Sequence, residues 1–370
     1  MEKDSYLKLF ANCIPVVGAK RSVICDLQRT EYVLVPNSLV KMFNKRNMLN
    51  LDTFRRKLNV EDLAIFTDYI KFLEEQEFVF QCTMEEAKFF PILSMEWDFP
   101  SQVSNCIIEI SENSNLDYFR ILNTELDEVS CRYVQFRHYG ESTISFWQGI
   151  TDIVNMNEIK AFDIIMKDNP NFFSHDIIAQ WVHSNKKIRC LTLNSSPENK
   201  EIQEPDYGFS AVIAVQQKVG NNSHCGVIHP AYFSINIETF TESHHYNTCL
   251  NRKISIDVNG DIKNCPSMAK SYGNIRDTKL IDVANDPEFQ KVWHINKDQV
   301  KVCRDCEFRY ICTDCRAYLE DPHDLYSKPL KCGYNPYTCE WEEWSTNPLK
   351  QMAIDHYGMR DILPKNKQPE

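Results

Sequence analysis

Apolar and polar positions change rhythm twice along this chain. Over the first hundred residues the rhythm is short and mixed. Arg21-Ser22-Val23-Ile24-Cys25-Asp26-Leu27 and Tyr32-Val33-Leu34-Val35-Pro36 are β-rich runs separated by the polar stretch Gln28 to Glu31, which predicts a hairpin. Asn37-Ser38 offers an N-cap for a short helix ending near Asn44. Asn59, with Asp62 three residues on, caps a second helix on which Leu63, Phe66, Ile70 and Leu73 recur at helical spacing. Glu77-Phe78-Val79-Phe80 returns to strand character. Hairpin, helices and closing strand follow the order of a winged-helix module.

From residue 104 to 216 the rhythm becomes regular. Strands are predicted over Cys106–Ile110, Arg132–His138, Lys160–Met166, Ile188–Leu193 and Phe209–Val215, with helices near Leu116–Glu128, Ser145–Asn155 and Ser174–His183. The spacing is that of a strand, a helix and their loops, so a parallel sheet with flanking helices is expected. There are too few units for a full eight-fold barrel, which leaves a degenerate partial βα barrel. After Gly220-Asn221-Asn222-Ser223 the periodicity fades into short strands and turns. The chain therefore divides into an α+β domain over 1–98, the partial barrel over 99–219, a cysteine-rich domain over 220–345, and a C-terminal helix and frayed tail over 346–370.

Composition narrows the class. At 43% hydrophobic and 25% charged residues, the 370-residue chain is globular, and too long for one core. No run reaches the length of a membrane helix. Met1-Glu2-Lys3-Asp4 places acids where a secretory signal needs a basic start, so a cytoplasmic protein is expected, with no membrane partner. The net charge of −11 is concentrated in residues 96–245, with 10 basic and 20 acidic side chains. No basic stripe suits nucleic acid. The acidic middle is either a solvated face or an attraction for a basic peptide.

The fifteen cysteines carry the chemistry. Cys13, Cys25, Cys82, Cys106, Cys131 and Cys190 are scattered and read as packing residues. The other nine fall within 225–339. Cys249, ten residues, Gly260, four residues and Cys265 enclose an Asn259-Gly260 turn between two strands, so a hairpin brings the two thiols together. Cys303-x2-Cys306-x5-Cys312-x2-Cys315 follows, then Cys332 and Cys339. In a cytosolic chain such density reads as soft-metal ligation, iron–sulfur or zinc. A zinc ribbon separates its pairs by about 15 to 20 residues, and here five intervene. Cys225 in His224-Cys225-Gly226 brings the candidate ligands to eight, enough for two four-thiolate sites. Lys301, Arg304, Arg309 and Arg316 interleave as candidate countercharges. No zinc-hydrolase motif, nucleophile elbow or phosphate loop appears, and no catalytic residue can be named.

This pattern resembles the SPASM domain, the auxiliary-cluster extension of radical SAM peptide-modifying enzymes, except that Cys312 and Cys315 are two residues apart instead of three. The resemblance implies two [4Fe-4S] clusters, the first on Cys249, Cys265, Cys315 and an upstream ligand, the second on Cys303, Cys306, Cys312 and Cys332. Cys225 is the upstream thiol within reach; Ser243, His244 and His245 stand nearer the family's position. The catalytic C-x3-C-x2-C triplet is missing: Cys106-Ile107-Ile108-Glu109-Ile110 runs into Ser111-Glu112-Asn113-Ser114-Asn115. Cleavage of S-adenosylmethionine is therefore not expected.

A narrower likeness, carried by Cys249 to Asp257, Asn264 to Met268 and Cys303 to Arg316, is to the peptide maturases of the grasp-with-spasm type. It implies a ribosomally synthesised precursor peptide and an ATP-grasp ligase as partners. The N-terminal order resembles a precursor-recognition domain, in which a leader peptide adds as a strand to a sheet edge. The 21–36 hairpin would supply that edge through Val23, Ile24, Tyr32 and Leu34. Two roles stay open: a maturase using its clusters, or a non-catalytic adaptor that presents the leader to the ligase, its clusters (or zinc) structural.

Overall fold

The computed structural model describes residues 5–111, 114–203 and 210–363. Met1 to Asp4, Glu112 and Asn113 after the first predicted strand of the central region, Phe209 of its fifth predicted strand, and the 364–370 tail lie outside the described residues.

The N-terminal region contains β1 (Tyr6–Leu9), β2 (Cys13–Val17), β3 (Arg21–Asp26), β4 (Glu31–Pro36), β5 (Met48–Asn50) and β6 (Val79–Cys82), with helices α1 (Asn37–Val40), α2 (Leu51–Arg55) and α3 (Val60–Glu75). The strands form two antiparallel sheets, ordered β5-β1-β6 and β2-β3-β4. The Asn59 side chain accepts the Asp62 amide at 2.8 Å, starting α3 as its cap chemistry predicts. Phe66, Ile70 and Leu73 are buried, whereas Leu63 sits on the solvent side. Asn37 does not cap a helix. It bonds Ser22 and the Gly18 carbonyl, and α1, already entered at Pro36, stops at Val40.

One strand that the residue pattern does not reveal changes the edge of this domain. Cys13–Val17 pairs along the full length of Arg21–Asp26, while Glu31–Pro36 pairs on its other side. Val23 and Ile24 therefore lie on the central strand, both buried, and offer no free edge. Of the two outer strands, β2 carries Pro15, which lacks an amide hydrogen, in mid-strand, while β4 has its proline, Pro36, only at its last position, so β4 is the edge better able to accept another strand.

The centre of the molecule is an eight-stranded, mostly parallel sheet. Its strands are β7 (Asn105–Ile110), β8 (Tyr133–His138), β9 (Ala161–Lys167), β10 (Ile188–Asn194), β11 (Lys200–Gln203), β12 (Ala211–Ala214), β13 (Lys253–Ile256) and β14 (Ile262–Lys263). They lie in the order β11-β12-β10-β9-β8-β7-β13-β14, with only the two outermost antiparallel to their neighbours. Helices α4 (Leu116–Glu128), α5 (Ile144–Asn155) and α6 (His175–Ser184) start from side-chain caps at Asn115, Thr143 and Ser174. Strand alternation sorts the two faces. Cys106, Ile108, Phe136, Ile164 and Leu191 share a core with Phe119, Leu122, Trp147 and Ile178 of the helices. Glu109, Gln135, Arg137, Asp163 and Lys253 occupy the alternate positions and make the other face polar.

The hairpin between Cys249 and Cys265 thus belongs to the sheet. Lys253–Ile256 pairs in parallel with Asn105–Ile108, and Gly260 closes the turn at a φ of 85°, which favours glycine. Beyond it the chain is loop-rich and packs back on the N-terminal domain. Val16, Val23 and Cys25 share a core with Phe308, Ile311, Cys312 and Cys332. Among the described residues no helix is long and apolar enough to cross a membrane.

Candidate metal centres

The six scattered cysteines are packing residues by position: five are buried and Cys190 is half-buried. The remaining thiols sort into two neighbourhoods. Cys315 lies within electrostatic reach of Cys225, Cys249 and Cys265, and Cys265 within reach of Cys225 and Cys249. Cys303 is close to Cys312 and Cys332, and Cys306 to Cys303 and Cys312. Among the described residues no three His, Cys, Asp or Glu side chains form a ready-made single-ion site.

In the first set, Cys249 precedes β13 and Cys265 follows β14, so the hairpin docked on β7 delivers both. The exposed Cys225 comes from a loop pinned by the buried Lys331, whose Nζ donates to the Ser223 carbonyl and, at 2.7 Å, to that of Cys225. The next residue, Gly226, has a φ of 83°, and a Cβ there would stand 2.8 Å from Cys315 Sγ. Only glycine lets this loop lie so close to the sulfur. The two histidines point elsewhere. His244 stacks on Tyr310 at 3.8 Å between ring centres, and His245 bonds the Met95 carbonyl at 2.7 Å.

The second set lines one apolar cavity. Cys303, Cys306, Cys312 and Cys332 face it together with Phe233, Phe308, Tyr334 and Lys297. Tyr32 of β4 packs edge-on against Phe308, and Arg21 of β3 pairs with the buried Glu307 at 2.7 Å. The N-terminal sheet and the second set are one packed unit. Tyr32 is therefore half-committed to this interior, while Leu34 is exposed. Cys339 is half-buried at a φ of 63° and stands outside both neighbourhoods.

Each set is supplied with donors aimed at sulfur. Backbone amides of Ser267, Tyr318 and Phe308 point at Cys265, Cys315 and Cys306. Each set also has a lysine reaching sulfur, half-buried at Lys253 and buried at Lys297. Lys253 Nζ lies 3.6 Å from Cys249 Sγ, and Lys297 Nζ lies 3.3 Å from Cys312 Sγ. Burial alone would lower both ammonium groups, and the sulfurs in their thiolate form, with Asp314 beside Lys297, outweigh it. The cations picked out by sequence position do other work. Lys301 and Arg304 are exposed and pair with Asp324 and Asp305, and Arg309 pairs with Asp298. Arg316 is buried against Asp314 at 2.6 Å. A lysine inside a strand or loop reads as a surface residue, so Lys253 and Lys297 gave no sequence signal beyond their nearness to cysteines.

Without metal, burial pushes Cys265 and Cys312 up to about 11, and Cys303 and Cys315 to about 12. These thiols are neutral until a metal displaces their protons. Four thiols, amide donors and one buried ammonium per set fit a four-thiolate site, whose anionic charge the donors would offset.

The polar face of the sheet adds a cavity of about 480 Å³, bordered by Trp97, Asn105, Gln135, Arg137, Glu242 and Lys253, with Cys249 in its wall. Burial raises Glu242 to about 7, although Asn251 donates to it at 2.8 Å.

Comparison with known proteins bears on the cysteine-rich segment most directly. Residues 248–307 match SPASM, an iron-sulfur cluster-binding domain. Comparison with curated proteins finds no match. Among solved structures, SuiB of Streptococcus suis is similar at 11% identity over 87% of this chain and 98% of that chain, with a TM-score of 0.37. Its complex with S-adenosylmethionine gives the same identity and coverage and a TM-score of 0.34.

Proposed function

We propose that this is a cytoplasmic iron–sulfur protein of peptide maturation, carrying two [4Fe-4S] clusters and acting on a ribosomally synthesised precursor together with an ATP-grasp ligase. The first cluster would be held by Cys225, Cys249, Cys265 and Cys315, the second by Cys303, Cys306, Cys312 and Cys332. The observation that carries this reading is the repeated arrangement of four thiols, amide donors and one lysine reaching sulfur. An ammonium withdrawn from water without an anion costs several kcal/mol; thiolates would offset Lys253, and thiolates with Asp314 would offset Lys297. When bound, such clusters supply one-electron chemistry or rigid cross-links. The chain's own residues hold them, shield the second in an apolar cavity, and keep the first beside the polar one.

The leader peptide would add along β4, with Leu34 exposed beside it and Tyr32 anchoring the strand to the second set. The central region is read as a degenerate partial barrel whose polar face is the lumen, and the N-terminal region as a winged-helix-like domain. One observation favours the adaptor role: the loop after β7 has no cysteine, and four thiols per set leave no ligand position for substrate. Anaerobic purification is expected to give a brown protein with about eight irons per chain. Colourless protein with stoichiometric zinc would sink the cluster assignment. Precursor mass after incubation with the ligase alone, and with both proteins, separates the roles. A mass change beyond the ligase's own product requires catalysis here; the same product made faster marks an adaptor.

A further inference from the structure

The charges around the two thiol sets are arranged differently. Beside the second set the cations are paired with carboxylates, some of them shared. Lys297 lies 3.8 Å from Asp314, which also holds Arg316. Lys350, whose Nζ donates to the Cys332 carbonyl, pairs with Glu320 at 2.8 Å. Arg309 pairs with Asp298, and Arg21 with Glu307. Asp314 and Glu307 themselves stand within reach of the thiols.

Beside the first set stand Arg137, Lys253 and Lys331. All three feel its thiols, and among the described residues none forms an ion pair with a carboxylate. The nearest acids are otherwise engaged. Glu109 takes its hydrogen bond from Tyr139 at 2.7 Å, and Glu242 from Asn251. Burial raises both carboxyls toward their neutral forms. The cations beside the first set thus lack an ion-pair partner among the described residues, whereas those beside the second are paired.

Reduction adds one negative charge to a site. A buried, unpaired cation stabilises that charge strongly because little water screens it, while a cation already paired stabilises it much less. We propose that this imbalance gives the two sites unequal reduction potentials, a cluster on Cys225, Cys249, Cys265 and Cys315 being the more easily reduced. The inference rests on the two-cluster reading above. Its consequence is spatial: the site that takes an electron first is the one whose Cys249 lines the 480 Å³ cavity.

The test is a redox titration of the anaerobically purified full chain near neutral pH, with dithionite and mediators, followed by electron paramagnetic resonance. Cys225→Ser, which alters only the first signal, assigns the two. Two midpoints are expected, the Cys225-sensitive one higher. Lys253→Met should lower that midpoint until the reduced-to-oxidised ratio at fixed potential falls at least tenfold, about 59 mV for one electron. Lys297→Met should move the second midpoint less. Equal or inverted midpoints in the fully iron-loaded wild type would overturn the inference and leave the two-cluster reading standing. An unmoved first midpoint in loaded Lys253→Met would do the same. Iron-free protein would overturn both. The wild-type ordering needs no variant, so poor folding of Lys253→Met cannot hide the answer.

Discussion

Cys249 and Cys265 flank a hairpin hydrogen-bonded into the central sheet, whereas Cys303, Cys306, Cys312 and Cys332 belong to chain with hardly any regular structure. The first pair is placed by backbone pairing that reaches back to Asn105–Ile108, and metal need only find thiols already near each other. The second set is placed by its own cavity and by the N-terminal sheet packed against it, so metal there completes a core. A sheet-borne site can lose its metal and keep its shape. A loop-borne site cannot.

That contrast can be broken in order of effect. The largest is expected for Cys312→Ala: roughly half the iron is lost, and limited proteolysis opens both the loop region and the β2-β3-β4 sheet, because they share one core. If the N-terminal sheet stays as protected as in wild type, the coupling is wrong. Next comes pH. The metal-free chain holds Cys265, Cys303, Cys312 and Cys315 at about 11 to 12 against an ordinary 9, so their contribution is complete below pH 9 and is lost as pH rises through 11 to 12. The loaded chain has the opposite slope, because acid protonates the ligands and releases metal. Denaturant midpoints of both forms across alkaline and acidic pH check the two signs. A common slope would contradict ligation by these thiols.

Arg21→Ala is smaller. It leaves the buried Glu307 carboxylate with only Tyr334 as a side-chain partner among the described residues and should cost about 1–3 kcal/mol in a urea titration. The loss should fall on the second set's region, with the first cluster's spectrum unchanged. Cys225→Ala should remove iron from the first site alone and shift the metal-free stability by less than about 0.5 kcal/mol, since its loop is exposed. Cys339→Ala should change neither iron content nor stability beyond that margin.

Much of the framework could be read from residue rhythm. The α4 helix occupies Leu116–Glu128 as its pattern predicts, and the five parallel strands predicted between residues 104 and 216 lie within a residue or two of their apolar runs. Local propensity and alternation suffice there. What could not be read depends on contacts distant in sequence. Cys13–Val17 carries a proline and its buried positions, Cys13 and Val16, do not alternate, so nothing local marks it as the strand that makes β3 central. The sorting of eight thiols followed spacing and family likeness, yet the cations that meet them did not. Lys301 and Arg304, close to cysteines in sequence, turned out to pair with acids, while Lys253 and Lys297 are brought to sulfur by the fold.

The pairing of Lys253–Ile256 with Asn105–Ile108 also orders events during synthesis. Strand β7 leaves the ribosome almost 150 residues before its outer neighbour, as the Ser104 amide bonding the Arg252 carbonyl at 2.7 Å illustrates. Until then the nascent sheet grows on one side only, and β7 presents an unpaired, apolar border of the kind that recruits other chains. The hairpin that delivers two metal ligands is also the late-arriving guard of that border. A chain stalled or cut between residues 216 and 252 would be left with a sticky sheet as well as an incomplete metal site.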